Sequence, residues 1–109
     1  EIKSYIKSAD IVLIENQMSR TNLIIQHVLG ALLHKSNKRY KFIRPHDVKR
    51  LFGTSCKSHY QNKKAAIKMA SSLYPTFFKK LDAHKKDDVA DSVLMCRYWY
   101  EKNRLCKGK

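Results

Sequence analysis

The sequence has 109 residues, which suits one small domain, and 43% of them are hydrophobic, which excludes wholesale disorder. Lys and Arg number 23 against nine Asp and Glu, so the net charge of +14 predicts a polyanionic partner, nucleic acid before an acidic membrane surface. No apolar run is long enough to cross a bilayer, and three cysteines without a Cys-x-x-Cys spacing favour a reducing intracellular compartment over a disulfide-bonded fold.

The first part of the chain predicts a helix, a strand, a second helix and a second strand. Residues 1–9 carry apolar side chains at helical spacing, and the β-branched run 11–14 is typical of a strand buried on both faces. We expect a helix over about 22–36 and a second strand over 40–44. The short connections predict that the two strands are parallel, with a right-handed crossover.

The second helix has a wide apolar face, and either Thr21 or Asn22 is expected to cap its N-terminus. We expect this face to belong to the core, with a subunit interface as the alternative. Its members are Leu23, Ile24, Val28, Leu29, Leu32 and Leu33.

The next segments predict short helices separated by polar loops. Pro45 suits the first turn of a short helix that Gly53 ends. A polar, basic loop over 54–64 runs into a helix that stops before Pro75. We expect a short helical segment over residues 76–84. Its apolar side chains, expected to face inward, are Phe77, Phe78 and Leu81.

The last helix is expected over about 86–102, followed by a basic tail from Lys102 to Lys109. It carries three consecutive aromatic residues, Tyr98 to Tyr100. We expect these rings to pack the helix against the sheet, with stacking on unpaired bases as the alternative.

The stretch 85–92, Lys-Lys-Asp-Asp-Val-Ala-Asp-Ser, places three carboxylates at the start of the last helix. In a helix Asp88 and Asp91 share a face, as do Asp87 and Asp91, and like charges so placed repel. The acids either suit the positive end of the helix dipole or hold a cation between them. These eight residues alone favour the first explanation.

Glu15 is a further candidate ligand for such a cation, because it stands at the end of a strand. Ligands of open α/β sheets gather outside the carboxyl ends of the strands. If the last helix brings its first turn to that edge, three carboxylates converge and repel unless a hard cation such as Mg²⁺ neutralises them. Two such ions, roughly 4 Å apart, can cleave a phosphodiester.

Residues 11–17, Ile-Val-Leu-Ile-Glu-Asn-Gln, followed by the stretch 85–92, resemble the RuvC-type Holliday junction resolvases, above all those of poxviruses, other large DNA viruses and fungal mitochondria. The resemblance covers about residue 9 to residue 100. It implies an α/β, ribonuclease-H-like fold, cleavage of four-way DNA junctions as a homodimer, and four acids that use Mg²⁺, with Mn²⁺ able to substitute. It also implies a viral replication site in the host cell, with the mitochondrion as the alternative.

By this resemblance Glu15, Asp88 and Asp91 are catalytic metal ligands, with Asp87 as the alternative to Asp88. Lys64, or its neighbour Lys63, resembles a basic residue that the family places near the scissile phosphate. The residues expected to contact DNA are Arg20, Lys57, Lys63, Lys64, Lys85 and Lys86.

The chain departs from the family in one respect, because the Asp-x-Gly of the family's first strand has no match in it. We therefore expect residues 1–109 to be one partial domain, the C-terminal portion of a longer protein that lacks the first three strands and is inactive alone. Two other functions stay open: a non-catalytic basic DNA-binding module, and another nuclease or a transposase of the ribonuclease-H superfamily. A pure DNA binder has no use for carboxylates that face its polyanion, which favours the endonuclease.

Overall fold

A computed structural model describes residues 2–107 of the chain, with side chains described for residues 4–104. These residues form two compact units, one ending at Pro45 and the other beginning at His46. The mixed α/β class is confirmed: the described residues are mostly helical, with one two-stranded sheet. The ribonuclease-H-like arrangement stays a prediction. No helix in residues 2–107 is both long and apolar enough to span a membrane.

The first unit follows the predicted order of helix, strand, helix and strand. The two strands pair in parallel, as predicted, with Val12 opposite Tyr40 and Glu15 opposite Ile43. The buried ends of these strands, Ile14 and Ile43, supply the centre of the unit together with Leu33 of the intervening helix. The elements are α1 (Ile2–Ser8), β1 (Val12–Glu15), α2 (Arg20–Lys35) and β2 (Tyr40–Ile43).

The helix α2 begins earlier than predicted, because Ser19 caps it and not Thr21 or Asn22. The backbone of Ser19 is extended, as a capping residue requires, and its Oγ accepts a hydrogen bond from the Asn22 N–H at 3.2 Å. Ser, Thr and Asn can all cap a helix, and Ser19, which was not among the predicted candidates, takes the role two residues before Thr21.

Only part of the apolar face of α2 is buried. Leu33 is buried, and Leu23 and Leu29 are half-buried. The prediction of core positions is therefore wrong for half of the face, because two short strands cover less of a helix than its apolar width. The exposed large apolar residues of α2 are Ile24, Ile25, Val28 and Leu32.

The second unit is built on two long helices that pack together. Ala66 and Ala70 of one helix are buried, as are Ala90 and Leu94 of the other, and the small side chains let the two backbones approach closely. Phe78, only 2% exposed, closes this core. The elements from the junction onward are α3 (Pro45–Phe52), α4 (His59–Leu73), α5 (Pro75–Lys79), a 3₁₀ turn (Ala83–Lys85) and α6 (Lys86–Lys107).

Two boundaries in the second unit differ from the predictions. The helix α4 begins at His59, within the predicted loop, because Ser58 caps it by accepting from the Gln61 N–H at 3.1 Å. The helix α6 continues through the predicted basic tail to Lys107. Basic side chains suit the negative end of a helix dipole, so this composition extends the helix and does not end it.

Candidate functional site

Glu15 is exposed at the end of β1, at a point that four hydrogen bonds hold in place. The Asn16 N–H donates to the Ile43 carbonyl at 2.8 Å, which carries the sheet one residue further. Gln26, buried on α2, accepts from the Gln17 N–H at 2.7 Å and donates to Asn16 Oδ1 at 3.3 Å. The Gln17 side chain donates back to the Glu15 carbonyl at 3.1 Å. The chain after Glu15 is therefore anchored to α2.

Asp87, at the start of α6, is engaged by a lysine of α4. Its Oδ2 lies 3.2 Å from Lys63 Nζ, and its Oδ1 accepts from the Asp88 N–H at 2.9 Å. The hydrogen bond from Lys63 is the largest cause that holds the pKa of Asp87 below its ordinary value, and the Asp88 N–H adds to it. Asp87 thus acts as an N-terminal acid of the helix and as half of an ion pair.

Asp88 and Asp91 are both exposed and lie on neighbouring positions of one face of α6. The Asp88 carboxylate has no hydrogen bond or ion pair to a side chain within residues 4–104. The Ser92 hydroxyl donates to the Asp88 backbone carbonyl at 3.1 Å, so it is occupied by the helix backbone. Of the two candidates Asp87 and Asp88, the second is the one whose carboxylate oxygens are open to a cation.

The complete ligand set stays a prediction. Glu15 belongs to the first unit, whereas Asp88 and Asp91 belong to the second. Over the described residues, no three His, Cys, Asp or Glu side chains come together as a group that could hold a metal ion. The donor chemistry fits a hard cation, since Mg²⁺ prefers carboxylate oxygens.

The two adjacent lysines of α4 have different surroundings. Lys63 reaches the acidic cluster through Asp87, whereas the Lys64 ammonium lies 4.9 Å from the centre of the Tyr60 ring. The sequence placed both among the DNA contacts and preferred Lys64 beside the scissile phosphate. That preference stays a prediction, and Lys63 is the lysine that the structure brings to the aspartates.

The other predicted DNA contacts lie on exposed or half-exposed surface. Arg20 is the first residue of α2, and Lys57 precedes the α4 cap. Lys85 ends the 3₁₀ turn and Lys86 begins α6, one residue before the acids. Cations at these positions suit contact with phosphate, a role that these observations leave as a prediction.

The sequence matches the family model of the poxvirus A22 protein over residues 1–102. The chain belongs to the poxvirus A22 family. This is a family of Holliday junction resolvases, so the predicted resemblance to poxvirus-type resolvases is confirmed, and membership points to a nuclease role. Neither a curated protein nor a solved structure matches the chain.

Outside the acidic cluster of this resolvase-family chain, sequence reasoning missed a groove of about 690 Å³ in the second unit. Phe77, predicted to face inward, is 51% exposed, and Tyr100, predicted to pack, is 57% exposed. The helical spacing of the α6 residues was visible in the sequence, but their exposure was not. The lining includes Tyr74, Phe77, Val93, Cys96, Arg97 and Tyr100.

Proposed function

We propose that this protein is a metal-dependent, structure-specific endonuclease that resolves four-way DNA junctions by phosphodiester hydrolysis with two Mg²⁺ ions. The observation that carries the proposal is the match to the poxvirus A22 family over residues 1–102. The net charge of +14 supports a DNA substrate, because such a field concentrates a polyanion at the protein surface. A poxvirus family also favours the viral replication site in the host cell over the mitochondrion.

Glu15, Asp88 and Asp91 are the proposed metal ligands, and their carboxylate oxygens suit Mg²⁺ or Mn²⁺. Bound metal ions of this kind supply an activated water and stabilise the leaving oxygen. Asp88 is preferred to Asp87 because Lys63 already neutralises Asp87 and leaves Asp88 exposed. The anchored loop after β1 holds Glu15 at a fixed point of the sheet edge.

The lysines beside the acids hold the DNA. Lys63 forms an ion pair with Asp87 and so neutralises one of the three aspartate charges that would repel a DNA phosphate. Lys64 is the proposed contact to the scissile phosphate, and its exposed ammonium over Tyr60 can reach solvent. The proposed phosphate contacts elsewhere are Arg20, Lys57, Lys85 and Lys86.

A homodimer is part of the proposal, and the exposed apolar face of α2 supports it. Ile24, Ile25, Val28 and Leu32 are each more than half exposed, and contiguous apolar surface of this kind marks interaction sites. We expect Ile25→Glu to shift the protein from dimer to monomer in light scattering, because it places charge in that interface. If Ile25→Glu forms a dimer as stable as that of the wild-type protein, α2 is not the dimer interface.

The test of the function compares three substrates of matched length: a four-way DNA junction, a DNA duplex and an RNA–DNA hybrid. Of the three substrates, we expect the full-length protein to cut only the junction. Cleavage should require Mg²⁺ or Mn²⁺, and a chelator should stop it. Binding of the junction without cleavage in either metal favours the non-catalytic DNA-binding module. Preferential cleavage of the hybrid or the duplex favours another nuclease of the ribonuclease-H superfamily.

A further inference from the structure

The groove between α5 and α6 concentrates exposed aromatic surface in a highly charged unit. Phe77 is 51% exposed, Tyr100 57% and Tyr74 37%, and all three line the same depression. Single exposed aromatic residues are ordinary, but three around one groove form a surface that water solvates poorly. The groove therefore suits a partner with a flat, apolar face.

Arg97 is held in a fixed position within this groove. Its Nη1 donates to the Tyr74 hydroxyl at 3.3 Å, its Nη2 lies 3.0 Å from Glu101 Oε1, and its Cζ lies 5.7 Å from the centre of the Tyr100 ring. The guanidinium is thus fixed beside an aromatic face, and a planar cation of this kind stacks with rings as well as donating hydrogen bonds.

The charge of the surroundings selects among flat, apolar partners. The second unit contains 15 of the 23 Lys and Arg residues but six of the nine acids, and no residue that lines the groove is acidic. Lys79 and Lys80 lie two and three residues after Phe77 and are exposed. An apolar peptide would use the rings but gain nothing from this field, whereas a nucleotide presents both an aromatic ring and a negative phosphate.

We propose that the groove between α5 and α6 binds an unstacked nucleobase of the DNA substrate, with the base on the exposed Tyr100 and Phe77 rings and its backbone phosphates drawn by Lys79 and Lys80. The proposal rests on the proposed function, because it assumes DNA as the ligand. Stacking on aromatic rings tolerates any base sequence, so the groove gives affinity for unpaired DNA without sequence preference. At the point of strand exchange in a four-way junction the arms cannot all stack on one another, so the base pairs there are the most easily opened.

The test measures fluorescence anisotropy with two single strands of equal length and equal charge, one with its bases and one built of abasic sites. The wild-type protein is expected to bind the strand with bases more tightly at the same salt concentration. Tyr100→Leu and Phe77→Leu keep apolar bulk but remove a ring face. We expect each to weaken binding of the base-containing strand by about 5- to 100-fold and to leave abasic binding unchanged. Tyr100→Phe keeps the preference.

Tyr5→Leu is the matched control, since Tyr5 is an exposed tyrosine of α1, 75% exposed and outside the groove. Circular dichroism establishes that each variant is folded. The binding of the leucine variants is compared with that of Tyr100→Phe, which keeps the aromatic ring. Equal wild-type binding to both strands overturns the groove as a base site and leaves the proposed function standing. Loss of binding to both strands in Tyr100→Leu also overturns it.

A second copy of the chain in the groove would give a different experimental result. If Tyr100→Leu changes the oligomeric state in light scattering and the preference for bases is unaltered, the groove joins two copies of the chain and the base site is overturned. Binding to neither strand overturns the base site. Cleavage of the four-way junction, measured separately in Mg²⁺, then decides whether the proposed function fails as well.

Discussion

Lys63 distinguishes the three aspartates at the start of α6. It pairs with Asp87 at 3.2 Å and leaves the Asp88 carboxylate without a partner among the described side chains. The two acids are neighbours in sequence, so a motif alone cannot separate them. The difference comes from the facing helix α4, which the sequence could not place against the first turn of α6.

The first prediction concerns the pH dependence of this ion pair. The pKa of Asp87 is lowered in the folded chain, chiefly by Lys63, so the pair stabilises the fold above the ordinary aspartate pKa and loses this effect as the pH falls through the folded value. A double-mutant cycle of Asp87→Asn and Lys63→Gln, followed by thermal unfolding, should show positive coupling near neutral pH and none in acid.

Lys64→Gln gives the matched control for that cycle, because Lys64 is the adjacent lysine and lies over Tyr60. It should show no coupling to Asp87→Asn at any pH. Coupling of Asp87 to Lys64 that equals its coupling to Lys63 would contradict the assigned pair.

The second prediction concerns Gln26, which anchors the loop after Glu15. In Gln26→Leu the part-buried Gln17 N–H and the Asn16 side chain lose their partners, which should lower the free energy of unfolding by about 1–3 kcal/mol. The Gln17 amide should also exchange faster with solvent, and junction cleavage should fall because Glu15 is less well fixed.

Urea unfolding, hydrogen exchange at Gln17 and cleavage of the junction check this prediction together. Gln61→Leu is its control, since Gln61 is an exposed glutamine at the start of α4. A Gln26→Leu protein with wild-type stability and wild-type exchange at Gln17 would show that the anchor has no role.

At the scale of the elements, α2 and β2 meet at a glycine. A Cβ on Gly30 would lie 3.0 Å from Cζ of Phe42 and 3.7 Å from the Tyr40 ring. The two rings already pack edge to face, with centroids 5.8 Å apart. Glycine at this position lowers the helix propensity of α2 but allows the helix to lie close to the strand.

The third prediction follows from the balance of those two effects. Replacing a mid-helix Gly by Ala ordinarily gains about 1 kcal/mol, but here the Phe42 ring must move, so Gly30→Ala should change stability little. Gly30→Val should lower the free energy of unfolding by about 1–3 kcal/mol through overpacking. Denaturant titration measures both changes.

Ala31→Gly calibrates this comparison, because Ala31 is the next residue of α2 and is exposed. It should lose about the 1 kcal/mol of helix propensity alone. If Gly30→Ala gains that full amount, the contact between α2 and β2 is looser than described.

Sequence patterns predicted the elements well where one signal dominated. The β-branched run of β1, the paired strands and Gly53, whose positive φ of 66° suits glycine, all follow from local chemistry. The patterns failed where the partner surface decides the outcome. Phe77 and Phe78 are adjacent and equally apolar, yet only Phe78 is buried.

The same limit applies to the candidate site. The acids Asp87, Asp88 and Asp91 were identifiable from their spacing and their resemblance to a resolvase motif. The pairing of Lys63 with Asp87 joins residues on different helices, and the exposed side of α2 depends on how much surface the sheet covers. No local pattern contains either fact.

At the scale of the whole molecule, charge and acidity have separate roles. The net charge of +14 suits the attraction of DNA, and three of the nine acids fall within residues 87–91, where the resemblance to resolvases predicts metal ligands. We propose that Asp91 acts in cleavage and not in folding or in DNA attraction. Removing one negative charge from a basic surface would by itself strengthen DNA binding, so a loss of cleavage has the opposite sign to the electrostatic effect.

The most direct measurement compares cleavage of a four-way junction in Mg²⁺ by the full-length wild-type protein, Asp91→Asn and the control Asp82→Asn. Asp82 is an exposed acid of the same unit, and its substitution makes the same change of charge. We predict that Asp91→Asn binds the junction at least as tightly as wild type but cuts it more slowly by a factor of about 100 or more. Asp82→Asn should bind and cut the junction as wild type does. Wild-type cleavage by Asp91→Asn would contradict the nuclease site proposed for this protein.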